Sequence, residues 1–125
     1  MMAGAKQIEF VYHLSESPFH IQADQQQMEQ ALINIIKNAV EAIKESGVIT
    51  FSTNSTSKQL IISDTGHGIS ASASDQLFSP FYSTKKDGQG IGLTLVKEIL
   101  LNHGFEFSLQ TIEPGNTRFE IRFDP

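Results

Sequence analysis

Two asparagines in the first half of the chain have the spacing of neighbours on one helix face. Asn34 and Asn38 are one helical turn apart, and Glu41 and Glu45 continue the same face. An amide oxygen is a hard, neutral ligand that suits Mg²⁺, which keeps water and phosphate oxygens around it. The pair is therefore interpreted either as a magnesium site or as ordinary solvent-facing helix residues.

A second candidate is the segment Asp64-Thr65-Gly66-His67-Gly68, directly after a predicted buried strand. A carboxylate at a strand end can accept a hydrogen bond from an exocyclic amino group such as that of adenine. The two glycines let the backbone approach a flat ring closely and permit positive φ. The alternative interpretation is a simple aspartate–glycine turn.

The third candidate is a set of glycines that opens a predicted helix, in Gly88-Gln89-Gly90-Ile91-Gly92-Leu93. Bare N–H groups and the positive end of the helix dipole make such a start suitable for phosphate. The spacing is neither that of the Rossmann motif nor that of a P-loop. A flexible start to the helix is the alternative.

These candidates lie on or beside elements that the hydrophobic pattern predicts. Strands are predicted over 6–14, 19–23, 48–53 and 59–63, with two more ending the chain. Helices are predicted from the N-cap Asp24 to about residue 46, stopped by Gly47, over 92–103, and briefly over 75–78. The pattern favours an α+β fold: a two-layer α/β sandwich whose mixed, mostly antiparallel sheet has about five strands, with about three helices on one face.

Composition narrows the function. The 125 residues suit one domain, and 39% hydrophobic with 18% charged residues is typical of a soluble globular fold. A net charge of −5 with nine Lys and Arg disfavours a general nucleic-acid binder. The lack of cysteine excludes disulfides and thiolate metal sites. No apolar run approaches the roughly 18 residues of a bilayer span, which indicates only that this piece is soluble. The lack of cysteine fits a reducing compartment, and we expect a cytoplasmic domain, whether or not its parent protein is membrane-anchored.

Together and in this order, the motifs resemble the four sequence boxes of the sensor histidine kinase catalytic domain. That domain belongs to a superfamily shared with type II topoisomerases, mismatch-repair ATPases and heat-shock chaperones. The N box resembles residues 34–42, the G1 box 64–68, the F box 78–85 and the G2 box 88–93, and Gly115-Asn116-Thr117 resembles the closing element. The Asn-Ala-x-Glu-Ala form of the N box is similar to kinases of the nitrogen-regulation and sporulation type.

The resemblance implies a role for each matching residue. Asn38 would ligate Mg²⁺, with Asn34 supporting the metal or the phosphates, and Asp64 would bind the adenine amino group. Lys85 would reach the phosphates, so that Asn34, Asn38 and Lys85 are the implied catalytic residues. The implied ATP contacts are Asn34, Asn38, Asp64, Gly66, Gly68, Ile69, Phe81, Lys85, Gly88, Gly90, Ile91, Gly92, Leu93 and Thr117. A mobile lid over about 70–89 would be anchored by Phe78 and Phe81.

Two positions depart from the family pattern. Gln89 stands where threonine is usual in the G2 box, and Glu41 stands where many relatives carry a lysine near the phosphates. Compensation of the triphosphate charge then falls on Mg²⁺, Lys85, Lys86 and the helix dipole.

Asn34 bears on the choice between phosphoryl transfer and hydrolysis. The hydrolytic members of the superfamily carry a glutamate there, which acts as a general base. An amide is a poor base, but an acceptor imidazole is itself a competent nucleophile near neutral pH. In-line transfer then needs mainly positioning and charge neutralisation. Asn34 therefore favours transfer to histidine.

The acceptor histidine is expected elsewhere. None of His13, His20, His67 and His103 is followed by the acidic residue that is usual after the family's acceptor. In the family the acceptor lies on a dimerising helical hairpin, which this chain lacks. The expected partners are thus that dimerisation and phosphotransfer domain and, indirectly, a response regulator, with no nucleic acid or membrane contact. The single domain, 1–125, is expected to be a monomer by itself. Two alternatives stay open: an ATP-driven conformational switch or ATPase, and a degenerate protein-interaction domain.

Overall fold

A computed structural model describes residues 6–66, 91–113 and 115–124. Within these ranges, two helices pack on one face of a five-stranded sheet. The strands are β1 (Gln7–His13), β2 (Ser46–Asn54), β3 (Gln59–Asp64), β4 (Glu106–Glu113) and β5 (Asn116–Arg122), and the helices are α1 (Gln25–Ala42) and α2 (Ile91–Asn102). The short helix predicted over 75–78 lies outside the described residues.

The sheet is mixed and mostly antiparallel, as predicted. Its strand order is β1-β2-β3-β5-β4. β1 pairs with β2 in parallel, because α1 carries the chain back across the sheet between them. The other three pairings are antiparallel. The predicted α+β class is confirmed.

The core lies between the sheet and the helices. Apolar or small residues alternate with charged residues over 117–122, which predicts one buried face for the last strand. The structure confirms it, because Thr117, Phe119 and Ile121 of β5 are buried while the residues between them are not. The spacing of Met28, Leu32, Ile35, Ala39 and Ile43 predicts a core stripe on the first helix, but Leu32 is only partly buried. The buried apolar residues of the helices are Met28, Ala31, Ile35 and Ala39 of α1 and Leu93, Val96, Ile99 and Leu100 of α2. None of the helices within the described ranges is long and apolar enough to cross a membrane.

The predicted end of α1 was wrong by several residues. The helix ends at Ala42, and Ile43 is its C-cap, with an extended backbone and its N–H donated to the Val40 carbonyl. Extended geometry turns the Ile43 side chain into the core, where it is 1% exposed. Gly47, predicted as the helix stop, lies inside β2 instead. A Cβ there would sit 3.0 Å from the Ile43 side chain, so this glycine makes room for packing.

The strand predicted over 19–23 was also wrong. This segment has no ladder partner and runs irregularly into α1. It is fastened by side-chain packing, because the ring of Phe19 lies 6.2 Å from that of Phe123. Ile21 and Ala23 share the alternation with Phe19 but are exposed, so the pattern does not correspond to a strand with one buried face.

The start of α1 is fixed by two polar contacts. Asp24 is the N-cap, as predicted: its Oδ1 accepts the N–H of Gln27 at 2.9 Å. The backbone N–H of Asp24 donates to His103 Nε2 at 3.0 Å, while His103 Nδ1 lies 2.7 Å from the Ile99 carbonyl oxygen. These contacts assign the proton to Nδ1 and leave Nε2 as an acceptor. His103 therefore ties the end of α2 to the beginning of α1.

Replacing Asp24 by alanine removes the cap acceptor and leaves the Gln27 N–H to water. We expect the free energy of unfolding to fall by about 1 kcal/mol, measured by urea denaturation. The control is Gln26→Ala, an exposed position in the same turn, which should change it by less than about 0.5 kcal/mol. Equal losses from the two variants would contradict the cap assignment.

Candidate functional site

Two buried polar side chains mark one end of the sheet. Asp64 and Thr117 are 8% and 6% exposed, and no other polar side chain in the described part of the chain is buried. They are direct partners in the β3–β5 ladder. Burying polar groups costs free energy unless they are satisfied, and both positions are among those that the sequence predicted for the site.

Both side chains are held by hydrogen bonds. Oδ1 of Asp64 accepts the N–H of Gly66 at 2.8 Å, which closes a tight turn directly after β3. The hydroxyl of Thr117 lies 3.0 Å from the hydroxyl of Thr111 on β4. The carboxylate is therefore held in a fixed orientation at the strand end, with the threonine beside it.

Gly66 joins this turn to helix α1. A Cβ built on Gly66 would lie 2.6 Å from the carbonyl oxygen of Ala42 and 2.7 Å from its Cβ. Because the nearest atom belongs to the backbone, no side-chain rotation can relieve that contact. The G1 turn and the last turn of the N-box helix are thus held in direct contact, and only glycine fits between them.

Thr65 continues the β2–β3 pairing beyond the last residue of β3. Its N–H donates to the Val48 carbonyl at 3.2 Å, and its hydroxyl accepts the Val48 N–H at 3.0 Å. A Cβ on Gly47 would come within 2.7 Å of that hydroxyl oxygen. The sequence placed Thr65 in the G1 segment without a role of its own, and it gave Val48 and Gly47 no part in the site. Thr65 and Val48 are 17 residues apart in the chain, so no local sequence pattern predicts their pairing.

The two asparagines lie on α1 beside its buried stripe. Asn34 and Asn38 are both half-buried, as is Glu41. Asn38 precedes by one turn Ala42, the residue against which Gly66 packs. The fold therefore places Asn38 on the part of α1 that adjoins the Asp64 turn, and neither asparagine is a fully solvent-facing residue.

The N-terminus of α2 points to the same end of the molecule. The residue that follows α2, His103, contacts the beginning of α1, and the two helices pack against each other. They therefore run in opposite directions. Twelve residues of α2 span about 18 Å, which sets its first turn roughly level with the turn of α1 that carries Asn34 and Asn38. The positive end of the α2 dipole lies on that side.

The remaining predicted residues divide into two groups. Leu93 is buried in the core. The backbone of Ile91 and Gly92 forms the first turn of α2. The following predicted positions lie outside the described residues: Gly68, Ile69, Phe78, Phe81, Lys85, Lys86, Gly88, Gly90, and the lid over 70–89.

A separate cavity of about 520 Å³ lies at the opposite end of α2. Its lining includes Leu101, Phe105 and Phe107 and the Glu106–Arg122 pair, whose nearest N and O atoms are 3.8 Å apart. It contains none of the predicted site residues. Glu106 and Arg122 are exposed, and the half-buried Glu120 accepts a hydrogen bond from Gln59 Nε2 at 2.8 Å. The cavity therefore lacks a buried polar group such as the one that marks the Asp64 end. We therefore take the Asp64 end as the candidate site.

The fold and these site residues define a histidine-kinase-type catalytic domain. The chain belongs to the family described as "Histidine kinase-, DNA gyrase B-, and HSP90-like ATPase", whose family model matches residues 23–125. A solved structure of the mycobacterial sensor histidine kinase MprB superimposes with a TM-score of 0.80 at 25% identity, covering 91% of this chain and 79% of that one. The family resemblance of the sequence is thereby confirmed.

Curated relatives agree with this assignment. Sporulation kinase C of Bacillus subtilis (strain 168) is 38% identical over 103 residues, which is 81% of this chain and 24% of that protein. Sensor histidine kinase ZraS of Escherichia coli O157:H7 is 31% identical over 121 residues, which is 95% of this chain and 26% of that protein. The chain spans about a quarter of the length of these two relatives.

Alanine at Gly66 tests the contact between the turn and α1. The added methyl group cannot fit against the Ala42 carbonyl, so we expect the free energy of unfolding to fall by about 1–3 kcal/mol in urea denaturation. The control is Ser46→Ala, an exposed position at the same end of the sheet, which should be near neutral. Unchanged stability of Gly66→Ala would show that the close approach is absent in solution.

Proposed function

We propose that this domain binds ATP with Mg²⁺ and donates the γ-phosphoryl group to a histidine on a separate dimerisation and phosphotransfer domain. The observation that carries the proposal is the buried Asp64–Thr117 pair, held beside the end of α1 by the Gly66–Ala42 contact. Membership of an ATPase family and likeness to sensor histidine kinases support it.

The Asp64 end has the chemistry that adenine requires. A carboxylate held in place accepts a hydrogen bond from the exocyclic amino group, and burial makes the loss of that bond costly. Glycine at position 66 leaves backbone without a side chain next to the carboxylate, so a flat ring can lie against it. Thr117 supplies a neutral hydroxyl beside Asp64. The residues present therefore fit an adenine ring.

The phosphate end is proposed along α1 and the start of α2. Asn38 would ligate Mg²⁺ through its amide oxygen, with Asn34 supporting the phosphates. The metal would supply charge neutralisation of the transferring phosphoryl group. The N–H groups of the α2 N-terminus would add donors, and Lys85 with the glycines at 88 and 90 completes the proposed set.

The half-buried Glu41 makes that neutralisation necessary. It lies one turn beyond Asn38 on the same helix, and the chain as a whole carries a net charge of −5. A triphosphate beside a carboxylate is held only if cations or donors outweigh the repulsion. We therefore expect nucleotide affinity to depend strongly on Mg²⁺.

The proposed reaction is transfer to nitrogen. An unprotonated imidazole nitrogen of the acceptor attacks the γ-phosphorus, and a P–N bond forms as the bond to the β,γ-bridging oxygen breaks. ADP leaves with that electron pair, and the ring then releases its other N–H proton to solvent. No protein base is needed. This is consistent with an amide at position 34, where hydrolytic relatives carry glutamate.

Substitution of Asp64 by asparagine tests the adenine contact. The amide replaces one acceptor oxygen by a donor, so binding of ADP with Mg²⁺ should weaken at least tenfold in calorimetric titration, which corresponds to about 1.4 kcal/mol. The matched control is Asp124→Asn, the same chemical change at an exposed position. Unaltered affinity of Asp64→Asn, in a protein that still binds, would remove Asp64 from the site.

Substitution of Asn38 by alanine tests the metal contact. We expect the gain in affinity for a non-hydrolysable ATP analogue on adding Mg²⁺ to disappear, while affinity without metal stays within about twofold of the wild type. Asn102→Ala, an exposed asparagine at the end of α2, is the control and should keep the full Mg²⁺ effect. Retention of that effect in Asn38→Ala would assign the metal to other ligands.

Three candidate functions predict different behaviour of the isolated chain: phosphoryl transfer to a histidine, ATP hydrolysis, and protein interaction without nucleotide binding. With γ-labelled ATP and Mg²⁺, we expect binding without label on the chain and without steady release of phosphate, because the acceptor lies on another domain. Asn34→Glu introduces the carboxylate base that hydrolytic relatives carry at this position, and it should raise phosphate release at least tenfold. Steady hydrolysis by the wild type would favour the conformational-switch ATPase, and absence of all nucleotide binding would favour a protein-interaction domain.

A further inference from the structure

Both edges of the sheet are open along the described residues, and they differ in character. β4 and β1 are the two outer strands. An unpaired strand edge presents a row of N–H and C=O groups to which another strand can add, and proteins protect such edges with charges and bulges.

β4 carries both of those protections. It begins at Glu106 and ends at Glu113, and its register with β5 shifts between Thr111 and Glu113. A second β4 placed alongside would meet like charges and an irregular backbone. This edge is therefore unfavourable for pairing with a copy of itself.

β1 lacks the irregularity of β4, because its pairing with β2 is regular over all seven residues. Its acidic and basic residues are Glu9 and the end residue His13, which have opposite character. Phe10 is 45% exposed, and Tyr12 and Leu14 are each 62% exposed. Both aromatic rings stack on Phe51 of β2, at centroid distances of 6.2 and 5.2 Å. An ordered apolar row thus ends at an open edge.

Backbone alternation shows which residues face that edge. The N–H of Gln7 donates to the Glu45 carbonyl on the β2 side. Successive residues of a strand point their N–H and C=O groups to opposite sides. Ile8, Phe10 and Tyr12 therefore present their backbone groups to the open edge, and the residues with the exposed rings are also the residues available for pairing.

We propose that a second copy of this chain adds antiparallel to β1, about a two-fold axis at Val11. In this register Phe10 exchanges both backbone hydrogen bonds with the partner's Tyr12, and Tyr12 does so with the partner's Phe10. The row of Phe51, Tyr12 and Phe10 then continues across the axis into the second copy. The result is one ten-stranded sheet with a self-complementary interface.

Charge complementarity selects this register. About Val11, each Glu9 lies directly opposite the partner's His13, and carboxylate and imidazole can hydrogen-bond. An axis at Glu9 would set two carboxylates opposite each other, and an axis at Phe10 would set Glu9 against valine. Both Glu9 and His13 are exposed on the face opposite the aromatic row. This proposal differs from the monomer that the sequence predicted.

Because one strand pair buries little surface, we expect weak association. Sedimentation equilibrium over concentrations up to the millimolar range should show a monomer–dimer equilibrium for this chain. Phe10→Lys should raise the dissociation constant at least tenfold. Gln110→Lys, the same replacement by lysine at an exposed position of the other edge strand, should leave it within twofold. Circular dichroism of both variants checks that each is folded.

A charge reversal tests the register itself. Glu9→Lys should raise the dissociation constant at least threefold, and adding His13→Glu should restore or exceed the wild-type affinity, because the pair is then rebuilt across the axis. A double variant that is as weak as Glu9→Lys would overturn the Val11 axis.

A disulfide gives an independent test, since the chain has no cysteine. The Val11 positions of the two copies would face each other in a non-hydrogen-bonded pair, whose Cα separation of about 4.5 Å permits an S–S bond. Under mild oxidation, Val11→Cys should become a covalent dimer and Gln110→Cys should stay monomeric. A chain that is monomeric at every concentration and unlinked through Val11→Cys would overturn the proposal and leave the edge to a different strand, such as one from a longer parent protein. Either result is independent of nucleotide binding.

Discussion

The absence of a side chain at Gly66 is the constraint on which the site depends. Its backbone lies so close to the Ala42 carbonyl that a methyl group would stand 2.6 Å away. This approach brings the turn after β3 onto the last turn of α1, two segments more than twenty residues apart. The same turn is held from the other side, where Thr65 pairs with Val48. Asp64 is thus placed by contacts with two elements.

This arrangement explains why the fold tolerates polar side chains in its interior. Asp64 and Thr117 are partners in the β3–β5 ladder, and two pairs further along, on the same face of the sheet, the partners are the apolar Ile62 and Phe119. A pair of apolar residues would continue the core and cost nothing in desolvation. The carboxylate and the hydroxyl at this end are consistent with the proposed adenine site, which needs a fixed hydrogen-bonding group. The proposed function also requires that Mg²⁺ on α1 neutralise the charge of the triphosphate.

Much of the fold could be predicted from the sequence because its signals are local. The N-cap at Asp24, the alternation of β5 and the helical stripe of α1 each depend on neighbours within a few residues. The errors fall where distant contacts decide the structure. Ile43 leaves the helix to enter the core, Gly47 makes room for packing and not for a helix end, and residues 19–23 are fastened by Phe123 rather than by a strand.

The candidate site was also predictable only where its signals are local. Asp64 and Asn38 were recognisable because their motifs have a known spacing and chemistry. The hydrogen bonds that hold the Asp64 end, between Thr65 and Val48 and between Thr117 and Thr111, were not predicted, since hydrogen bonds across strands leave no pattern in the sequence. The sequence likewise did not predict that β1 pairs with β2, because α1 separates the two strands in the chain. That pairing also sets which residues of β1 face outward.

The most direct test of the central claim is a nitrogen-15 NMR titration of the labelled domain with ADP and Mg²⁺. The account predicts that the largest amide shift changes among the described residues fall on Asp64, Gly66 and Thr117 and on the α1 turn that contains Asn38. Changes concentrated instead on Leu101, Phe105 and Phe107, around the cavity at the other end of α2, would contradict it.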